Sequence, residues 1–171
     1  MTTQTSDTFW ADYVTEAMSF AVLQLKDLRA EHEANFGLIE EVGEVAGVFK
    51  RVARGDNGGG LDCDKLAKEL GDLLWYVTRC AIVCERMMPQ EVARLFAEHE
   101  SANEDIGRMT NLMVVYCLGR LQVERTGSRT RKLFRIAEHA GLDMREVATK
   151  NLEKLRARRI AGTIQGSGDS R

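Results

Sequence analysis

Two acidic pairs occupy matched positions in the 171-residue chain, Glu41-x-x-Glu44 and Glu69-x-x-Asp72. Displacing the sequence by 28 positions (69 − 41) lays Glu41-Val42-Gly43-Glu44-Val45 onto Glu69-Leu70-Gly71-Asp72-Leu73. Leu38, Val42, Val45, Phe49 and Val52 then fall onto Leu66, Leu70, Leu73, Val77 and Cys80. These apolar positions follow the three-and-four spacing of one helix face. At about 100° per residue, Glu41 and Glu69 lie about 60° from the centre of that stripe, and Glu44 and Asp72 about 120° from it on the same side. Two such helices packed antiparallel bring four carboxylates together at one edge of the core. Uncompensated, they repel by on the order of several kcal/mol at partly buried positions, so the pattern demands a cation. Carboxylates are hard oxygen ligands suited to Mg²⁺ or Mn²⁺. A di-iron bundle site uses Glu-x-x-His pairs, and none of His32, His99 or His139 has a Glu three residues before it.

The paired glycines add to this reading. Gly43 and Gly71 each fall in a helix interior, where glycine costs about 1 kcal/mol relative to alanine. Their matched placement predicts that a neighbouring helix or a ligand approaches the backbone closely.

The elements that must position these groups read as helices throughout. One proline in 171 residues, Pro89, fits a chain built of helix interiors, which exclude proline. No sustained alternation of apolar and polar residues marks a strand. The expected fold is an all-α helical bundle. Its helices run from Phe9 or Trp10 to about Arg29, from Phe36 to Arg54 and from Asp62 to Met87. Four more are expected, from Pro89 to His99, Asn103 to Glu124, Ser128 to Ala140 and Asp143 to Arg159. The length suggests one domain. Residues 8–87 would carry the metal site, 88–140 additional helices, 141–160 a final site helix, and 161–171 a flexible Gly/Ser-rich tail that could also fold over a bound phosphate.

Composition narrows the function classes. With 24 Lys+Arg against 26 Asp+Glu, the net charge of −2 gives no global drive toward nucleic acid or an anionic membrane. No apolar run approaches the ~20 residues that span a bilayer, and no secretory leader is expected at the N-terminus. Cys63, Cys80, Cys84 and Cys117 have no zinc-site spacing and read as free thiols of a reducing, cytoplasmic compartment. The basic run Arg125, Arg129, Arg131, Lys132 and Arg135 is balanced by acidic residues elsewhere and reads as a solvated face.

The two pairs and their surroundings, GLIEEVGEVAGVFKR and KELGDLLWYV, resemble the MazG family of all-α nucleoside triphosphate pyrophosphohydrolases. The signature of that family is E-x-x-E, a spacer, then E-x-x-D. A later stretch, GLDMREVATKNLEKLRAR, is similar to the family's N-x-x-K helix, here Asn151-x-x-Lys154. The resemblance implies Mg²⁺-dependent cleavage of a nucleotide between its α and β phosphates, giving a monophosphate and pyrophosphate. It implies metal ligation by Glu41, Glu44, Glu69 and Asp72, with Glu41 or the adjacent Glu40 orienting the attacking water. Asn151, Lys154 and Arg158 would contact the phosphates, and the assembly would be a homodimer or homotetramer. Within the same motif, dUTP-preferring and alarmone (ppGpp) hydrolases are alternatives. A non-catalytic helical interaction protein is the reading from a different class.

Three further residues have a role open to them. Tyr76, on the acidic side of its helix, suits either stacking on a nucleobase or core packing. Lys50 and Arg51, one to two turns beyond Glu44, suit either a phosphate or a solvated helix end.

Overall fold

Short polar residues set several of the helix starts. In the computed structural model, which describes residues 5–23, 28–101 and 111–164, Asp62 accepts from the Lys65 backbone N–H at 2.9 Å and Asp143 from that of Arg145 at 2.8 Å. Each satisfies an N–H that the first helical turn leaves unpaired. Pro89 opens its helix, where its missing N–H is not needed. The elements are α1 (Ser6–Ser19), α2 (Leu28–Arg54), a 3₁₀ turn (Asp56–Gly59), α3 (Cys63–Val83), α4 (Pro89–Ser101), α5 (Asn111–Leu121), α6 (Thr126–His139) and α7 (Met144–Ile160). Among the described residues there is no strand, and the fold is all-α.

Several boundaries differ from the sequence expectation; α3, for one, ends at Val83 rather than Met87. α1 stops at Ser19 rather than Arg29, and α2 begins at Leu28 rather than Phe36. The buried face of early α2 is carried by Ala30, Ala34 and Gly37, all buried. Small residues pack as tightly as large ones but leave no periodic signal of bulky apolar side chains. The helix expected from Asn103 falls partly outside the described residues, as does the tail beyond 164.

α2 and α3 form an antiparallel hairpin, with α6 and α7 packed on α3, α4 on α1, and α5 against α2 and α6. α3 is the central element: Leu66, Leu70, Leu73, Leu74 and Val77 are all fully buried. An aromatic cluster joins α1, α4 and α6, where Trp10 meets Phe96 at 5.3 Å and Phe134 at 5.5 Å between ring centroids. Such burial supplies most of the stability of a helical domain.

The basic run on α6 is not simply a solvated face. Arg129 is buried, donating to the Leu121 carbonyl at 2.9 Å and pairing with Glu85 at 3.3 Å. The same Glu85 carboxylate accepts from the backbone N–H and hydroxyl of Thr126, fastening the start of α6. Lys132 pairs with Glu124. Arg125 and Arg131 are exposed. Arg129 and Lys132 thus help to hold α5, α6 and the end of α3 together, while the Arg135 Nε is shielded without an acceptor.

α7 is anchored at both ends. Near its start, Arg145 forks onto Glu100 of α4 at 2.6 and 2.9 Å, and Glu100 also accepts from Trp10 Nε1 at 3.2 Å. Near its end, Arg156 forks onto Glu16 of α1, and Arg159 donates to the Ser19 carbonyl at 2.7 Å. Bidentate guanidinium pairs fix angle as well as distance. This bracing sets the rotation of α7, and hence which of its residues face α3. The four cysteines are all free.

Candidate functional site

The α2–α3 seam is a ladder of chemically matched rungs. Glu31 pairs with Arg86 at one end, and Ala34 accepts from the Cys80 thiol at 3.3 Å. Next along, Glu33 pairs with Arg79 at 3.3 Å. Arg79 is 1% exposed and also donates to the Leu23 carbonyl at 2.7 Å, tying the chain after α1 to the hairpin. Then the Tyr76 ring lies across Gly37: a Cβ at that glycine would sit 2.0 Å from Tyr76 Cε1. One further turn brings Glu41, Glu69 and Asp72 together, with one carboxylate oxygen from each lying within 4.8 Å of the others. Antiparallel packing of two helices with acids in matched phase has this outcome.

The group is only partly hydrated. Glu69 is 2% exposed, and Glu41 and Asp72 are half-buried. Burial pushes the Glu41 carboxyl up to about 8, with the charges of Asp72 and Glu44 adding to the rise and Lys154 opposing it. Burial likewise raises Glu69, and Lys68 opposes that rise.

α7 meets this cluster from the side. Asn151 Nδ2 donates to Asp72 Oδ1 at 3.0 Å, and the Lys154 ammonium pairs with the same oxygen. Gly71 makes the approach feasible, since a Cβ there would lie 3.0 Å from Asn151 Cβ. The glycine expectation therefore holds for Gly71, where a helix comes close, whereas Gly43 is exposed with nothing within 4 Å of its Cβ position. Asn151 is 4% exposed, and its Oδ1 is shielded without a hydrogen-bond donor. Three convergent carboxylate oxygens suit a hydrated hard cation, and the amide oxygen of Asn151, on the residue that holds Asp72, lacks a donor.

The remaining sequence candidates are dispersed. Glu44 is exposed and outside the three-oxygen group, although its charge reaches both Glu41 and Glu69. Glu40 and Lys50 are exposed, and Arg158 is half-buried on α7. Tyr76 is half-buried, meets Trp75 edge-to-face at 4.8 Å, and feels the charges of Glu33, Glu41 and Glu40. Trp75 turns away and donates to the Ala17 carbonyl at 2.9 Å. Arg51 differs from its neighbour Lys50: it is half-buried, and its Nη2 is shielded with no acceptor.

Residues 30–99 match the family model of the MazG nucleotide pyrophosphohydrolase domain. Over that stretch the chain is MazG-like. No curated protein and no solved structure matches the chain. The MazG-like segment contains α3 whole and nearly all of α2 and α4, so it holds all four signature carboxylates. It stops before α7, so the polar residues that meet Asp72 come from outside it. No helix among the described residues is long and apolar enough to cross a membrane.

Two contributors to the MazG-like seam escaped the sequence reading. Gly37 carried no partner in the internal repeat, and the Glu33–Arg79 rung required the hairpin register, in which residues distant in sequence become neighbours. The Glu-to-Arg pairing across the same register that aligns Glu41 with Asp72 was the available signal.

The raised Glu41 carboxyl has a consequence for stability. Its folded-state value of about 8 lies above the ordinary glutamate value of 4.5, so between those limits the folded chain holds a proton that the unfolded chain has released. Stability without divalent metal therefore falls as pH rises through that window. Glu41→Gln removes this titration. Melting curves in EDTA from pH 5 to 9 will show the variant gaining on the wild type as pH rises; parallel curves would refute the assignment.

Proposed function

We propose that this protein is a divalent-metal-dependent nucleotide pyrophosphohydrolase that converts a (d)NTP to the (d)NMP and pyrophosphate, using Mg²⁺ or Mn²⁺. The observation that carries this reading is the convergence of Glu41, Glu69 and Asp72 oxygens within 4.8 Å, inside a stretch that matches a pyrophosphohydrolase family. Glu41, Glu69 and Asp72 would hold the metal, with Glu44 completing the set from the exposed side. When bound, the metal supplies charge neutralisation for the phosphates and acidification of water.

The residues of the chain do the rest. Glu41, or Glu40 beside it, orients the water whose oxygen attacks the α-phosphorus as the bond to the bridging oxygen breaks. Phosphoryl transfer depends on such positioning and on charge stabilisation more than on covalent help from the protein. Lys154 and Asn151, with Arg158 on the same helix, face the phosphates. Of the two cations after Glu44, Arg51 suits an anion better than Lys50, because its shielded nitrogen lacks an acceptor. Tyr76, half-buried on the seam beside the cluster, is the candidate to stack on the base.

A second copy of the chain fits α2. Leu28, Phe36 and Ile39 are 74%, 72% and 47% exposed on that helix, an apolar group that a homodimer or homotetramer would cover. Sedimentation velocity reads this directly, and a monomer at micromolar concentration would reject it. The expected setting is the cytoplasm, with no nucleic-acid or membrane partner.

The testing experiment is product analysis over a panel of dNTPs, NTPs, dUTP and ppGpp, with Mg²⁺ and with EDTA, beside Glu44→Gln. Monophosphate plus pyrophosphate, lost in EDTA and reduced in the variant, supports the reading. Release of inorganic phosphate would mean that another bond is cut. No turnover of any nucleotide would leave a helical interaction protein as the better account.

A further inference from the structure

The acidic cluster of Glu41, Glu69 and Asp72 is only partly hydrated, and one cation already sits against it. The Lys154 ammonium pairs with Asp72 Oδ1, its side chain 22% exposed and that of Asp72 18%. Its charge also acts on Glu41 from across the seam. The other donor to Asp72 is not free to rearrange. Asn151 donates to the same oxygen at 3.0 Å from a buried position against Gly71, and α7 is braced by Arg145–Glu100 and Arg156–Glu16. Two donors from one braced helix thus share one carboxylate oxygen, but they differ in kind. Asn151 is neutral, short and enclosed. Lys154 is charged, ends a flexible four-carbon stem and reaches solvent. A divalent cation entering the cluster conflicts with a neighbouring ammonium but not with an amide.

Resting on the metal reading above, we propose that Lys154 is the resident counter-cation of the acidic cluster, occupying Asp72 until a divalent ion displaces it. Asn151 stays on Asp72 in both states and keeps the carboxylate aimed at the cluster. The displaced ammonium remains tethered one helical turn from Asn151, free to meet the anionic phosphates of the nucleotide. One side chain thereby opposes the metal when the ion arrives alone and assists the nucleotide once the metal is in place. This disfavours an idle metal centre and favours one loaded together with substrate.

The two effects have opposite signs, which makes the proposal testable with a single substitution. Mn²⁺ binding without nucleotide would be measured by isothermal titration and by the loss of the free-ion electron paramagnetic resonance signal. Lys154→Met should tighten it by about tenfold. The same variant, saturated with Mn²⁺, should bind a non-hydrolysable α,β-imido dNTP more weakly by about tenfold. Lys150→Met, on an exposed position one turn earlier, removes the same charge away from the cluster and should change neither. If Lys154→Met weakens Mn²⁺ binding or leaves it unchanged, the residue merely supports Asp72 and the proposal fails. An equal effect of Lys150→Met would also overturn it, because net charge would then suffice. Lys154→Gln, checked by circular dichroism, gives the same readout should the methionine variant not fold. A different result marks failure of the underlying metal reading: no Mn²⁺ binding by the wild type that Asp72→Asn removes.

Discussion

Asp72→Asn will lower metal-dependent pyrophosphate release by between about a hundredfold and a thousandfold, a loss of the size seen when one preorganised charge-stabilising group is removed. Asp72 is where the cluster and α7 meet: it shares the carboxylate group with Glu41 and Glu69 and accepts from both Asn151 and Lys154. An amide in its place still accepts from Asn151 but offers one neutral oxygen where a charged pair stood. The fold should tolerate the change. The Lys154 side chain is already 22% exposed and can turn to water, and one source of repulsion on Glu41 disappears. The melting temperature in EDTA should therefore move by no more than about 3 °C, corresponding to roughly 1 kcal/mol in a domain of this size. Pyrophosphate release and thermal unfolding on the same preparation separate the two effects. Near-wild-type turnover would remove Asp72 from the site, and a collapse in stability would make it a structural residue.

Gly37→Ala will destabilise the protein by about 2 kcal/mol, despite improving a helix interior. Helix propensity alone favours the alanine by about 1 kcal/mol. Against it stands the Tyr76 ring, with Cε1, Cζ and Cδ1 at 2.0, 2.2 and 2.7 Å from the new methyl group. The ring cannot move freely, because Trp75 packs edge-to-face on it and is itself hydrogen-bonded to Ala17. Overpacking of this kind costs up to about 3 kcal/mol, so the clash prevails. Chemical denaturation should show the loss, and Tyr76→Ala in the Gly37→Ala background should recover part of it, since the two substitutions share one contact. Additive effects would mean that ring and glycine do not touch. At Gly43 no atom opposes a Cβ, so an equal loss from Gly43→Ala would point to a covering partner chain rather than to the ladder.

Much of the site was legible before any coordinates. The phase of Glu41, Glu44, Glu69 and Asp72 against their apolar stripes depends only on helical periodicity, a local property. Antiparallel packing of adjacent helices joined by a short connection then follows from chain geometry. Helix starts were similarly readable where a side chain caps its own helix, as Asp62 and Asp143 do. Early α2 was not readable, because Ala30, Ala34 and Gly37 bury a face without bulky residues to mark it.

What only the tertiary structure decided is which of the periodic candidates converge. A helical wheel places Glu41 and Glu44 on one side of α2. The register of α3 against it leaves Glu41 with Glu69 and Asp72 while Glu44 faces solvent. No local rule distinguishes Lys50 from Arg51, yet packing exposes one and shields the other. Asn151 and Lys154 lie about eighty residues beyond Asp72 in the chain, and their arrival depends on the guanidinium pairs that rotate α7 into place. Helical periodicity is a property of neighbouring residues and can be read along the chain. The meeting of α2, α3 and α7 at Asp72 depends on how whole helices pack, and that is settled only when the core forms.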